Sequence, residues 1–396
     1  MSHSRTTRCC PDLRSRVACL ARGVSNVDLI TNYIFQAPAD AISLTGSSDI
    51  RVSNLLISTP VMRGILLDDT SASLTSVTIQ NPGGSALEIT TAAIDRTVTA
   101  TGLSITSISP NPVVRGIDAT VTGAGDLTLS LTSSSINTQA DAVNVSTLGG
   151  STGDLLLRFS SVSASSTTGT GILVDGSAGA GSTFVAAFSN NTVSTAATGG
   201  VSFDTVTFDA NPTLAGIQSV AAATLNVGDT AADITGLGLS IDNSTGKLNL
   251  GVVKLFNNNG TGLLVRNSPG PLTLSSSTGS TIDTQIGAAL DLEAVTTSLT
   301  FASLNSENSP GTDHGIHLNN VAGTITSTTT TIVDSQDPAA IRIENIAAPG
   351  NTLRPRFGAL TIESLADNTE ATNIQLPGIT TGIVQPIYTS LNVIFP

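Results

Sequence analysis

From Asp40 onward one order of apolar and polar positions keeps returning: a small residue, an apolar one, any residue, then a second apolar one. It reads Ala41-Ile42-Ser43-Leu44, Gly64-Ile65-Leu66-Leu67, Ala86-Leu87-Glu88-Ile89 and Gly116-Ile117-Asp118-Ala119. It continues through Ala142-Val143-Asn144-Val145, Gly171-Ile172-Leu173-Val174, Gly200-Val201-Ser202-Phe203 and Gly236-Leu237-Gly238-Leu239. Gly262-Leu263-Leu264-Val265, Ala289-Leu290-Asp291-Leu292, Gly315-Ile316-His317-Leu318, Ala340-Ile341-Arg342-Ile343 and the weaker Asn373-Ile374-Gln375-Leu376 complete the series. Counted from the first apolar residue of each copy, the steps are 23, 22, 30, 26, 29, 29, 36, 26, 27, 26, 25 and 33, and the small residue is Gly or Ala in 12 of the 13 copies. Such a recurrence marks a repeat architecture.

Between these anchors a second apolar-any-apolar word recurs, as in Leu127-Thr128-Leu129 and Leu272-Thr273-Leu274. A third, looser one follows, as in Val252-Val253-Lys254-Leu255. Period-2 alternation over short runs, separated by Gly, Asn, Ser, Thr and Asp, predicts three short strands per repeat. Only Pro11 to Arg22 reads as a short helix. Three strands with no return helix predict a coil that advances one sheet spacing, about 4.8 Å, per turn. The expected fold is therefore all-β, a right-handed parallel β-helix (solenoid) of about 12–13 coils with inward apolar ladders. A propeller needs antiparallel blades of about 40 residues, and a sandwich lacks register across repeats. Residues 1–39 are expected to form a basic N-terminal segment, either a cap on the first coil or disordered, and residues 40–396 the repeat domain.

Composition narrows the function. The formal net charge is −13. Arg5, Arg8, Arg14, Arg16 and Arg22 against Asp12 give the first 23 residues +4, which leaves −13 − 4 = −17 for the remainder. An acidic chain disfavours nucleic acid and anionic lipid as partners. All three cysteines, Cys9, Cys10 and Cys19, lie in the basic segment; an odd count there is no disulfide framework, and the spacing is not that of a zinc module. The longest apolar run near the start, Val17 to Ala21, is shorter than the roughly 7–15 residues of an export signal, and no run reaches the ~18 of a membrane span. The C-terminal Ser390-Leu391-Asn392-Val393-Ile394-Phe395-Pro396 reads as an interrupted strand, so the chain is expected to continue in a longer protein.

From Asp40 to Pro396 the repeat resembles the right-handed parallel β-helix proteins of bacterial surfaces, in the broad pectin-lyase-like group. Phe188-Ser189-Asn190-Asn191 before Gly199-Gly200-Val201, and Phe256-Asn257-Asn258-Asn259 before Gly262-Leu263, are similar to the Phe-x-x-Asn and Gly-Gly-apolar repeats of polymorphic outer-membrane autotransporter adhesins. This resemblance implies a surface-exposed or secreted, structural or adhesive β-helical rod without catalytic activity. Its partners would be cell-surface glycans, host or matrix proteins, or further copies of the chain.

The pectin-lyase-like group also holds polysaccharide lyases and glycoside hydrolases, the alternative expectation. Asp313-His314-Gly315 is similar to the Gly-His-Gly of polygalacturonase-like enzymes, and Ile341-Arg342-Ile343 faintly to their Arg-Ile-Lys, but residue 313 is Asp and 343 is Ile. The one adjacent Asp pair, Asp68-Asp69, lies about ten coils upstream, too far for the paired carboxyls, about 5–9.5 Å apart, that glycoside hydrolysis needs. The 36-residue step after Val201, with Asn211-Pro212-Thr213, is the one place for a groove-forming loop. No catalytic set, metal site or cofactor is expected. His314 and His317, three apart in a strand, would point to opposite faces. The candidate binding group is an outward pair of ladders: Asp291, His317, Arg342 and Gln375 in one column, Arg266, Glu293, Asn319 and Glu344 in the next. Such a patch would bind a sugar acid or a cation, or simply pair its own charges.

Overall fold

A computed structural model of the chain describes residues 19–107, 114–176, 181–209, 224–228, 234–307, 314–335, 339–345, 352–363, 374–377, 383–384 and 387–394. Every regular element among the described residues is a β-strand. The strands stack in parallel as a β-solenoid, divided into two compact units, Met1–Thr192 and Val193–Pro396. Among the described residues no helix is long and apolar enough to cross a membrane.

In the first unit the anchors form Cys19–Arg22, Ile42–Thr45, Ile65–Asp68, Leu87–Thr91, Ile117–Val121, Val143–Thr147 and Thr170–Asp175. Each pairs in parallel with the next, so that Ile42, Ile65, Leu87, Ile117, Val143 and Ile172 stand in one file. All six are at most 1% exposed. Burying such a side chain contributes roughly 1.5–3 kcal/mol, and the file repeats that gain on every turn. The residue before each anchor must be small where the next coil's carbonyl closes in. A Cβ on Gly64 would stand 2.5 Å from the Ala86 oxygen and 2.7 Å from Ile79 Cγ2.

The other two strands of each coil meet at a sharp bend. Asn54, Ser76, Gly102, Ser133, Ser161 and Asn190 occupy the same register position on successive coils, all with φ between 49° and 65°. Residues that tolerate the left-handed region, or bond their own backbone there, are what such a bend requires. The Asn190-Asn191 pair divides the work. Asn190 makes the bend, with φ 53°. Asn191, 1% exposed, accepts the Val162 N–H at 2.9 Å and donates to the Phe159 carbonyl at 2.9 Å. An Asn191→Ala variant leaves both backbone groups unpaired in the core and is expected to lose about 1–3 kcal/mol in urea denaturation. Asp95, Asp126 and Asp154 form a second ladder. Asp95 accepts the backbone N–H of Asp126 at 3.1 Å, Asp126 that of Asp154 at 2.8 Å, and Asp154 that of Thr183 at 2.7 Å.

In the second unit the anchors form Gly199–Asp204, Leu237–Asp242, Leu263–Arg266, Leu290–Glu293, Ile316–Asn319, Ile341–Glu344 and Ile374–Gln375. Asn243, Asn267, Asn320 and Asn345 make the turn after the anchor strand, with φ from 48° to 57°. Asn345 also donates to the Asn319 side chain on the preceding coil at 2.9 Å.

Two expectations change. Val201 pairs with Leu239, not Leu237, and Leu239 pairs with Leu263, so this anchor lies two residues later than the repeat pattern places it. Leu237 and Leu239 both have an apolar residue two positions on, so period-2 alternation cannot choose between them. Gly238 decides, because a Cβ there would meet the Gly262 oxygen at 2.5 Å. The helix over Pro11 to Arg22 is not formed at its C-terminal end, where Cys19–Arg22 pairs as a strand with Ile42–Thr45. Ala18-Cys19-Leu20-Ala21 is one more small-apolar-any-apolar copy, with Cys as the inward residue: Cys19 is 8% exposed and disulfide-bonded, Leu20 71% exposed. Ser25–Phe35 likewise pairs with Ser48–Ser58. Residues 1–18, Asn211-Pro212-Thr213 and Asp313 lie outside the described residues.

Candidate functional site

In Leu290–Glu293, Ile316–Asn319 and Ile341–Glu344 the first and third residues are buried and the second and fourth half-buried. Alternation thus turns Leu290, Ile316 and Ile341 inward and leaves Asp291, His317 and Arg342 on the outer face. Parallel register aligns Asp291 with His317 and His317 with Arg342, and in the next column Glu293 with Asn319 and Asn319 with Glu344.

The side chains close this face into a network. His317 Nδ1 lies 2.8 Å from Asp291 Oδ1, and its Nε2 lies 2.9 Å from Glu344 Oε1. Arg342 donates to Glu344 Oε2 from Nε at 3.0 Å and from Nη2 at 2.8 Å. Glu344 therefore reaches diagonally out of its own column to the preceding coil, and through His317 the network spans three coils. Two carboxylates facing the two ring nitrogens favour the doubly protonated imidazolium. The His317 pKa is accordingly raised above 6.5, first by the hydrogen bond to Asp291, against the opposing effect of burial, and further by Glu344 and the two negative charges. For Glu344, burial alone would raise the carboxyl, but the bonds and charges of His317 and Arg342 outweigh it and hold it below 4.5.

These shifts fix the direction of the pH dependence. A histidine pKa raised by folding adds stability that is complete below the unfolded value near 6.5 and is lost as pH rises through the higher folded value. The lowered Glu344 adds stability above its unfolded value near 4.5, lost as pH falls through the lower folded one. Because the network is solvent-accessible, the histidine effect is expected to be on the order of 1 kcal/mol or less. Thermal midpoints between pH 6 and 9 should fall more for the native chain than for His317→Gln.

The predicted group is brought together only in part. Asp291, His317 and Arg342 meet, with Glu344 as their link. Arg266 instead pairs with Asp242 of the preceding coil at 3.2 Å, where Asn267 also binds at 2.8 Å. Glu293 keeps its place in the outer column but makes no ion pair with the others among the described residues. His314 departs from its expected position. It precedes the strand Ile316–Asn319, so strand alternation does not govern it. It is 5% exposed, its Nδ1 stands 2.8 Å from the Ala339 carbonyl, and its ring centroid lies 5.4 Å from that of His317. The Asp68-Asp69 pair is engaged locally: Asp68 accepts from Thr90 at 2.6 Å, and Asp69 pairs with Arg96 at 3.2 Å.

The chain matches no protein-family model and no curated protein sequence. It is similar to the solved structure of a PL6 alginate lyase in complex with a trisaccharide, at 9% identity and TM-score 0.35, over 90% of this chain and 83% of that one. It is also similar to the family 28 exopolygalacturonase of Yersinia enterocolitica, at 11% identity and TM-score 0.32, over 95% of this chain and 68% of that one. The shared feature is the parallel β-helix. At these identities and TM-scores the likeness is one of fold alone. The expectation that the chain is no enzyme is withdrawn: both of these solved structures are of enzymes, and the likeness of fold by itself assigns no activity to this chain.

Proposed function

We propose that this is a bacterial cell-surface or secreted β-helical protein whose outward ladder face in the second unit engages an acidic glycan. The observation that carries the reading is the Asp291–His317–Glu344–Arg342 network, an imidazole whose pKa is raised by two carboxylates and a guanidinium, held on adjacent coils of one regular strand face. Arg342 spends Nε and one Nη2 hydrogen on Glu344, so both Nη1 hydrogens and the second Nη2 hydrogen remain for a ligand carboxylate, with His317 beside them. Parallel strands fix such groups about 4.8 Å apart with little side-chain freedom, which lowers the ordering cost of binding.

Binding of oligogalacturonate and oligoalginate by the full chain, measured calorimetrically, tests this. Arg342→Ala and His317→Ala are expected to weaken binding by about tenfold or more, and binding should fall as pH rises and His317 loses its proton. No binding, or binding indifferent to both variants, would contradict the proposal.

One observation favours a second reading, cleavage of the polysaccharide on the same face. His317 lies between two carboxylates that raise its pKa, an environment suited to a general acid. Assaying the same mixtures for new reducing or unsaturated ends separates the readings. Products that vanish in His317→Ala would establish cleavage.

A further inference from the structure

A second constellation lies in the first unit, on residues just before the anchors. Two positions before the first inward residue of successive coils stand Asp40, Arg63, Ser85, Arg115 and Asp141, a column confirmed by backbone bonds from Ala41, Gly64, Ala86 and Gly116 to the next coil. The order is acid, base, small, base, acid. Arg63 grips Asp40 with Nε at 2.8 Å and Nη2 at 3.0 Å, and gives Nη1 to Glu88 at 2.7 Å. Arg115 gives Nη1 to Asp118 at 3.1 Å and lies 3.5 Å from Asp141 through Nε.

The coil between the two arginines carries Gly83, Gly84 and Ser85, and the missing side chains leave a groove of about 560 Å³. That volume is within the range of small-molecule sites, about 300–1,000 Å³. Arg63, Ser85, Glu88, Arg115, Asp118 and Asp141 supply its polar groups, while Val61 and Met62, 63% and 47% exposed, form an apolar rim.

We propose that this groove binds an amino-sugar unit of a glycan. The lining carries Arg63 and Arg115 against Glu88, Asp118 and Asp141, and Arg63 is further neutralised by Asp40, so an acidic ligand is repelled. A purely cationic ligand such as a lysine peptide would meet the half-exposed Arg115 among the carboxylates. Each carboxylate already accepts from the protein, Glu88 from Arg63, Asp118 from Arg115 and from Asn144 at 2.7 Å, and Asp141 from the Thr170 N–H at 2.8 Å. A sugar ring adds to both kinds of group: hydroxyls donate to the remaining carboxylate lone pairs and accept from the Arg115 guanidinium, the ammonium faces Glu88 and Asp118, and the C–H face covers Met62. Binding in this groove does not depend on the acidic-glycan face of the second unit.

The chain has two methionines, Met1 and Met62, so the Met62 methyl is a direct NMR probe of the groove in the intact protein. A glucosamine tetrasaccharide is expected to shift the Met62 methyl, with the shift weakening as salt rises. Oligogalacturonate and tetralysine should leave it unmoved. A Cβ on Gly84 would lie no closer than 3.6 Å to its neighbours, so Gly84→Gln fills the groove without crowding the coil. This variant should melt as the native chain does and bind about tenfold or more weakly. The proposal is overturned if glucosamine leaves Met62 unmoved, if oligogalacturonate or tetralysine shifts it equally, or if a normally folded Gly84→Gln binds as well as the native chain. Binding of oligogalacturonate elsewhere on the chain bears only on the second unit's face.

Discussion

Replacing Ile65 with aspartate is expected to abolish cooperative unfolding of the Met1–Thr192 unit, or to cost it more than about 4–5 kcal/mol. Ile65 is 0% exposed and sits in the inward file between Ile42 and Leu87. A carboxylate there loses its hydration with no cation within the file, and the buried contacts on both adjacent coils are lost with the isoleucine. The neighbouring Leu66→Lys is the matched control. Leu66 is half-buried on the outer face and aligned with Glu88, so the variant should change stability by less than about 1 kcal/mol. Chemical denaturation of the two variants reads the contrast directly. A tolerated Ile65→Asp with a damaging Leu66→Lys would mean that the alternation is inverted.

The second large effect is expected at Gly116. A Cβ there would run into the Ala142 carbonyl oxygen and Ile136 Cγ2, so even Gly116→Ala must push successive coils apart. Overpacking of this kind costs about 1–3 kcal/mol, more where backbone has to move, and Gly116→Val should cost more again. At the equivalent position of the next coil the chain carries Ala142, so Ala142→Gly should cost only about 0.5–1 kcal/mol, from added freedom of the unfolded chain. Denaturation midpoints in the order Ala142→Gly, Gly116→Ala, Gly116→Val, from most to least stable, are the expected result. Equal midpoints for all three would contradict the close packing of adjacent coils.

Much of the fold was legible in the sequence because each coil repeats one physical demand. Ile42, Ile65, Leu87 and their successors must be apolar, and the residue before them must be small, on every turn. Where two residues meet that demand equally, the pattern is silent. Leu237 and Leu239 differ only in which neighbouring glycine the next coil presses against. Cys19 was hidden because its copy lies among arginines, although its word is the same.

The candidate site was legible to the same depth. Alternation and register place Asp291, His317 and Arg342 in one column, and the structure keeps them there. Neither rule says how far a long side chain reaches. Glu344 crosses to His317, whereas Arg266 turns back to Asp242. His314, Arg63 and Arg115 sit at corners, outside any strand, where period-2 reasoning has no hold. One signal for the groove is present: the tripeptides Arg63-Gly64-Ile65 and Arg115-Gly116-Ile117 are identical and flank the coil with Gly83-Gly84-Ser85.

Both sites depend on coils stacked in parallel with the stated alignment. Leu66 and Leu173, both half-buried, lie in one outer column, linked through Glu88, Asp118 and Asn144, four steps apart. Spin labels placed at Leu66 and Leu173, with the three native cysteines replaced, allow their separation to be measured by pulsed dipolar spectroscopy. Four steps of about 4.8 Å predict one narrow distribution centred near 20 Å. A broad distribution, or one centred beyond about 30 Å, would contradict the stacked, in-register coils on which both binding faces rest.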